Sequence, residues 1–209
     1  MASDTARAPL PLPTRARLQR RAWWLAWATV AYNAVEAVVG IGAGVAAGSI
    51  ALISFGADSV VECLSALVII WEFSGVPEDR ERQARRLIGV CFLVLAGYIT
   101  LASVRALVSA DPAEPSPVGI GLAAASLVVM PVLSSAKRRT GVRLGSRAVI
   151  ADSVQTLLCT YLSAVLLAGL VLNAALGWSW ADPLVALAIA AVAAREGWRA
   201  WCGEPDVCC

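Results

Sequence analysis

Histidine is absent from the 209 residues. That removes the commonest metal ligand and the usual proton carrier near neutral pH. Any site must therefore use Asp, Glu, Cys, amides or backbone carbonyls. Charge is scarce as well, at 15% of residues, where a soluble domain carries about 25%. With 59% hydrophobic residues, this scarcity excludes an ordinary soluble fold and predicts an integral membrane protein. Two other things are missing. The small-residue run Gly40 to Gly48 lacks the Lys-Ser/Thr ending of a phosphate loop and reads as close helix packing and a tight turn. No nucleophile–base pair or enzyme motif is visible, so no enzymatic activity and no bound cofactor is expected.

Cysteine is present, but not in the spacing of a secreted disulfide scaffold. Cys63, Cys91 and Cys159 fall in apolar segments, and Cys202, Cys208 and Cys209 in the last eight residues. Cys63 and Cys91 read as packing residues. The vicinal pair Cys208-Cys209, with Cys202, suits capture of a soft metal or thiol redox chemistry, although an inert tail explains it equally.

Residues 1–21 are rich in Pro and Arg and are expected to be a disordered basic tail. No cleavage site follows a short apolar core, so the first apolar segment reads as a retained anchor. Residues 22–199 divide into six apolar stretches, about 22–43, 49–72, 87–109, 118–136, 147–172 and 180–198, each near the ~20 residues that a bilayer requires. The expected fold is all-α, a six-transmembrane-helix bundle, followed by a short Cys-containing tail over 200–209. Sixteen of the seventeen Lys and Arg fall in the N-terminal tail, the loops after the second and fourth spans, and the C-terminal end. Only Arg105 lies toward the other side. The positive-inside rule then places both termini in the cytoplasm. Trp23, Trp24, Trp178, Trp180, Trp198 and Trp201 fall at the expected interfaces, as an aromatic belt does. The Arg clusters read as topology determinants, and no nucleic-acid partner is expected.

Few ionisable residues remain inside the spans, and these carry the chemistry. Asp58 and Glu62 stand four residues apart in the second span, so they project from one helical face a turn apart. A carboxylate at membrane depth costs several kcal/mol unless paired, metal-bound or wetted, and two on one face also repel. A cation between them explains keeping both; a pair hydrogen-bonded across helices is the plainer alternative. Asp152, Gln155 and Cys159 share a face of the fifth span at i, i+3 and i+7. Asp58 and Glu62 lie about 14 and 20 Å from one end of their span, and Gln155 and Cys159 about 14 and 20 Å from the opposite end of theirs. In a hydrocarbon core of about 30 Å the two sets meet near mid-depth. In the first span Glu36 lies one turn from Asn33, either as an outer carboxylate or proton acceptor or as a contact between helices.

The order of these features resembles the cation diffusion facilitator family of divalent metal transporters. Gly48-Ser49-Ile50-Ala51-Leu52 followed by Asp58-Ser59-Val60-Val61-Glu62 is similar to the family's second-span motif. Ala151-Asp152-Ser153-Val154-Gln155-Thr156-Leu157-Leu158-Cys159 matches its fifth-span motif, with Gln155 and Cys159 where the family has His and Asp. Trp180-Ala181-Asp182-Pro183 resembles the start of its sixth span. The likeness runs over roughly 25–200. It implies a short form of the family, without the cytoplasmic metal-binding domain expected after the sixth span.

What the resemblance implies is efflux of a divalent transition metal, zinc-like, by antiport against protons across a cell (inner) membrane. Asp58, Glu62, Asp152, Gln155 and Cys159 would surround the metal. The carboxylates are hard donors, and a Cys159 thiolate would be the soft donor that favours zinc or cadmium over magnesium. Gln155 is a poor zinc donor and would orient a carboxylate or water, with Asp152 the fuller ligand. Asn33 and Glu36 would serve as outer contacts or in proton coupling. Carboxylates holding protons when empty would release them on binding, which couples the two flows. The family's dimers imply a homodimer, with less to hold it where the cytoplasmic domain is missing. Two rivals stand beside this reading: an organic-cation transporter on the same fold, and a non-transporting metal sensor or redox protein using the tail cysteines. Aromatic residues would line the first, and mid-span aromatics are few.

Overall fold

In the computed structural model the described residues are 12–72, 78–109 and 113–202, and they contain six α-helices and no strand. The helices are α1 (Leu12–Ala47), α2 (Ile50–Glu72), α3 (Glu78–Ser109), α4 (Pro117–Leu144), α5 (Arg147–Leu176) and α6 (Ala181–Cys202). The first five hold stretches long and apolar enough to cross a membrane. At 22 residues α6 is about 33 Å long, enough to span, but its composition is diluted by Asp182, Arg195, Glu196 and Arg199.

Two helix boundaries differ from expectation, and for one reason. The basic stretch 12–21 is not a disordered tail but the start of α1, with Arg15, Arg17, Arg20 and Arg21 exposed. Residues 1–11 lie outside the described residues. Likewise α4 does not stop near residue 136 but continues through Lys137-Arg138-Arg139 to Leu144, where Gly145 ends it in the left-handed conformation (φ 70°). Arg, Lys, Leu, Gln and Ala are all good helix formers. A run of positive charge ends the apolar pattern without ending the helix. Pro13 sits in the first turn of α1, where its missing N–H costs nothing.

Four helices close a ring, with α1 packed on α2, α2 on α5, α5 on α4 and α4 on α1. The α3–α6 pair docks outside this ring, against α2 and α5. Helix α2 therefore packs on α1, α3, α5 and α6. Leu52, Phe55, Met130, Leu166 and Ile189 fill one core. In lipid the helices gain nothing by hiding apolar surface from water, so close backbone approach matters more. At the α1–α2 crossing a Cβ on Gly56 would stand 2.7 Å from the backbone nitrogen of Ile41. At the α3–α6 crossing a Cβ on Gly89 or Gly197 would stand 2.9 Å from the other's carbonyl oxygen. Side chains at these points would force the helices apart.

The N-terminus of α2 is capped twice. Ser49 Oγ accepts from the Leu52 amide (3.1 Å). Asp182, opening α6, accepts from the Ile50 (2.9 Å) and Ala51 (3.2 Å) amides and from Ser49 Oγ. A carboxylate suits the positive end of a helix. This explains why Asp182, a charged residue at the start of α6, is only 4% exposed.

Candidate functional site

Each ring helix sends polar side chains inward. From α1, Glu36 is buried, and its Oε2 accepts from Ser59 Oγ of α2 (2.8 Å). Asn33 is also buried and donates to the Thr29 carbonyl (3.1 Å). From α2 come Asp58, half-buried, and Glu62, 1% exposed. From α5 come buried Asp152 and Cys159, with Gln155 half-buried between them. Glu62 is electrostatically close to Asp152 and Cys159, and Asp58 to Glu62, Glu36 and Glu196 of α6. The helices thus bring Glu36, Asp58, Glu62 and Cys159 into one neighbourhood, as the depth argument requires of the second and fifth spans.

Helix α4 contributes a residue that the sequence reading assigned to a cytoplasmic loop. Lys137 lies inside the helix, two turns before its end, and is 1% exposed. Its Nζ stands 2.8 Å from Asp152 Oδ2 and donates to Thr156 Oγ1 at 2.8 Å. Thr156 in turn donates to the Asp152 carbonyl (3.1 Å). One turn earlier Ser134 Oγ donates to the Ser153 carbonyl (2.7 Å). The α4–α5 seam is therefore a connected polar ladder with an ion pair in it. Asp152, expected among the metal donors, is engaged by this ammonium.

Across the ring the situation is opposite. Neither carboxylate oxygen of Glu62 has a hydrogen-bond partner, and Glu36 Oε1 has none. Among the described residues no three His, Cys, Asp or Glu side chains form a ready metal-binding group. The donors stand along α2 and across from it rather than in a closed cage. Of the tail cysteines, Cys202 is exposed at the end of α6, and Cys208 and Cys209 lie outside the described residues. Cys63 donates to the Val30 carbonyl (3.5 Å), a packing contact between α1 and α2.

Lys137 and Glu196 were not anticipated as part of this neighbourhood. A signal for Lys137 was available. Gly119, Ala123, Ser126, Met130, Ser134, Lys137 and Gly141 recur at intervals of three and four and are all buried, the stripe of one helix face.

Long apolar helices around a cluster of inward acidic side chains define a multi-pass membrane protein. The comparisons with known proteins specify which. Residues 84–201, more than half of the chain, match the cation efflux transmembrane domain, and the chain belongs to that family, the cation diffusion facilitators. It is 30% identical over 176 residues to an uncharacterised transporter of Synechocystis, covering 78% of this chain and 57% of that protein. It is 24% identical over 143 residues to transmembrane protein 163 of Xenopus laevis, covering 66% of this chain and 51% of that protein. The chain thus spans about half the length of these curated relatives.

Proposed function

We propose that this chain carries a divalent transition-metal cation, zinc-like, out across a cell membrane in exchange for protons. The cation passes through the α1/α2/α4/α5 ring. The observation that carries the reading is Glu62, a carboxylate buried in a membrane-spanning helix with both oxygens unpartnered, in a chain of the cation efflux family. Such a group costs several kcal/mol in a bilayer unless a cation or proton neutralises it. Asp58, one turn away, supplies the second carboxylate, and the two negative charges match a divalent ion. Cys159 supplies the soft donor, Gln155 orients a carboxylate or a water, and Glu36 takes up protons beside them. All six helices span, with both termini cytoplasmic. Because the donors line α2 and face it, cation binding draws α5 toward α2. Rocking of the helices about the midplane then exposes the site to one side and the other.

The test is metal uptake into proteoliposomes under a pH gradient, with zinc, cadmium, cobalt and manganese compared. Transport that collapses in Asp58→Asn/Glu62→Gln supports the reading. Equal transport by wild type and double variant, or none of any metal by either, sinks it.

A further inference from the structure

Lys137 is a permanently placed cation in a ring whose cargo is also a cation. Its ammonium has three donors. Two are spent on α5, at Asp152 Oδ2 and Thr156 Oγ1. The side chain is 1% exposed, so water does not replace these contacts. Glu62 stands within electrostatic reach of Lys137 and beside Thr156 and Cys159, and neither of its oxygens meets a donor in hydrogen-bond geometry. Of these two acids, Asp152 has one oxygen on the lysine and its Oδ1 without a partner, whereas Glu62 has neither oxygen on it.

We propose that Lys137 is a specificity-determining residue: its ammonium holds Asp152 out of the cargo's ligand set and so fixes the number of carboxylates that the transported cation meets. With Asp152 neutralised, Asp58 and Glu62 remain, a charge matched by one divalent ion. If Asp152 were released, a third carboxylate would face the cation across the ring, and the cation would bind tightly and leave slowly. A carrier must bind and also let go, so this restraint serves turnover. Lys137 has a second consequence. It is the positive charge that acts on Glu62, and Asp152 and Thr156 hold it on α5. This inference rests on Asp58 and Glu62 being the cargo's carboxylates.

The test is cobalt and zinc binding to the detergent-purified full chain by calorimetry, with cobalt absorption to report the ligands. Four proteins are compared: wild type, Asp152→Asn, Lys137→Met/Asp152→Asn and Glu62→Gln. In Asp152→Asn the lysine loses its carboxylate and turns to Glu62, so binding weakens roughly tenfold or more. In Lys137→Met/Asp152→Asn neither charge is present, and affinity returns to the wild-type range with the cobalt spectrum unchanged. In Asp152→Asn the buried lysine regains a counter-ion in Glu62, and in the double variant both charges are gone, so both are expected to fold. If the double variant binds as weakly as Asp152→Asn, Asp152 is a ligand and the proposal is overturned. Unchanged binding by Asp152→Asn overturns it too. Glu62→Gln separates the two levels: unaltered binding there removes the carboxylate site itself, whereas lost binding there with no recovery in the double variant removes only the role of Lys137. Lys137→Met alone, where it folds, is expected to bind more tightly and transport more slowly than wild type.

Discussion

Two halves of the helix ring treat buried acids in opposite ways. On the α4–α5 side Asp152 has a lysine at 2.8 Å on Oδ2, itself held by Thr156, although its Oδ1 has no partner. On the α1–α2 side Glu62 has no partner and Glu36 has one hydrogen bond, from Ser59. Burial is nearly the same, so exposure does not distinguish them. Partnership does. An acid with a resident counter-ion is settled and ties two helices together. An acid without one stores unfavourable energy that only a mobile cation or a proton can release. The chain keeps both kinds within one ring, and the proposed cargo site rests on that contrast.

The largest expected effect breaks the open side. Glu62→Gln should lower metal transport by roughly a hundredfold or more, by analogy with the loss of a strong, charge-assisted ligand. It should not lower the melting temperature, because an unpartnered buried charge has been removed. A fall in both would mean that Glu62 is structural, and the two halves would no longer differ. Next comes the settled side. Lys137→Met leaves Asp152 buried without its counter-ion and should cost about 3–5 kcal/mol of stability, read as a large fall in melting temperature in detergent. Restoring neutrality with Asp152→Asn should recover most of that loss.

A smaller effect is expected at the end of α2. Asp182→Ala removes the acceptor for two backbone amides and the Ser49 hydroxyl and should cost about 1–2 kcal/mol. Faster hydrogen exchange at Ile50 and Ala51 is its signature. The smallest is at Cys159. Cys159→Ser should leave zinc transport within about threefold while shifting the cadmium-to-zinc preference against cadmium, since a hydroxyl is a harder donor. An unchanged preference would take the thiol out of the cation's surroundings.

How much of this was legible in the sequence depends on which physical signal each residue carried. Asp58 and Glu62 were legible because charge in an apolar helix is conspicuous and a four-residue spacing fixes their shared face. All six helices were legible from apolar length. Lys137 was not, although it lies in register with Ser126, Met130 and Ser134 on the buried stripe of α4. It sits next to Arg138 and Arg139, which are exposed, and the three together read as one loop. Periodicity separates them; composition does not. The same confusion hid the first ten residues of α1, where charge signals the end of an apolar run and not the end of a helix. Asp182 was legible as a motif residue but not as a cap. Its partners are more than 130 positions away in the chain, and only the tertiary arrangement brings them together.

Asp182 has a mechanical meaning beyond capping. It ties the first turn of α6 to the first turn of α2, while the opposite end of α6 is fastened to α3 where Gly197 meets Gly89. Two parallel rods clamped at one end can part only at the other, like the blades of a fan. Any relative motion of α2 and α6 would therefore pivot about this clamp and grow along the helices. Glu62, more than three turns along α2 from that clamp, has the longer lever arm, and Asp58 the shorter.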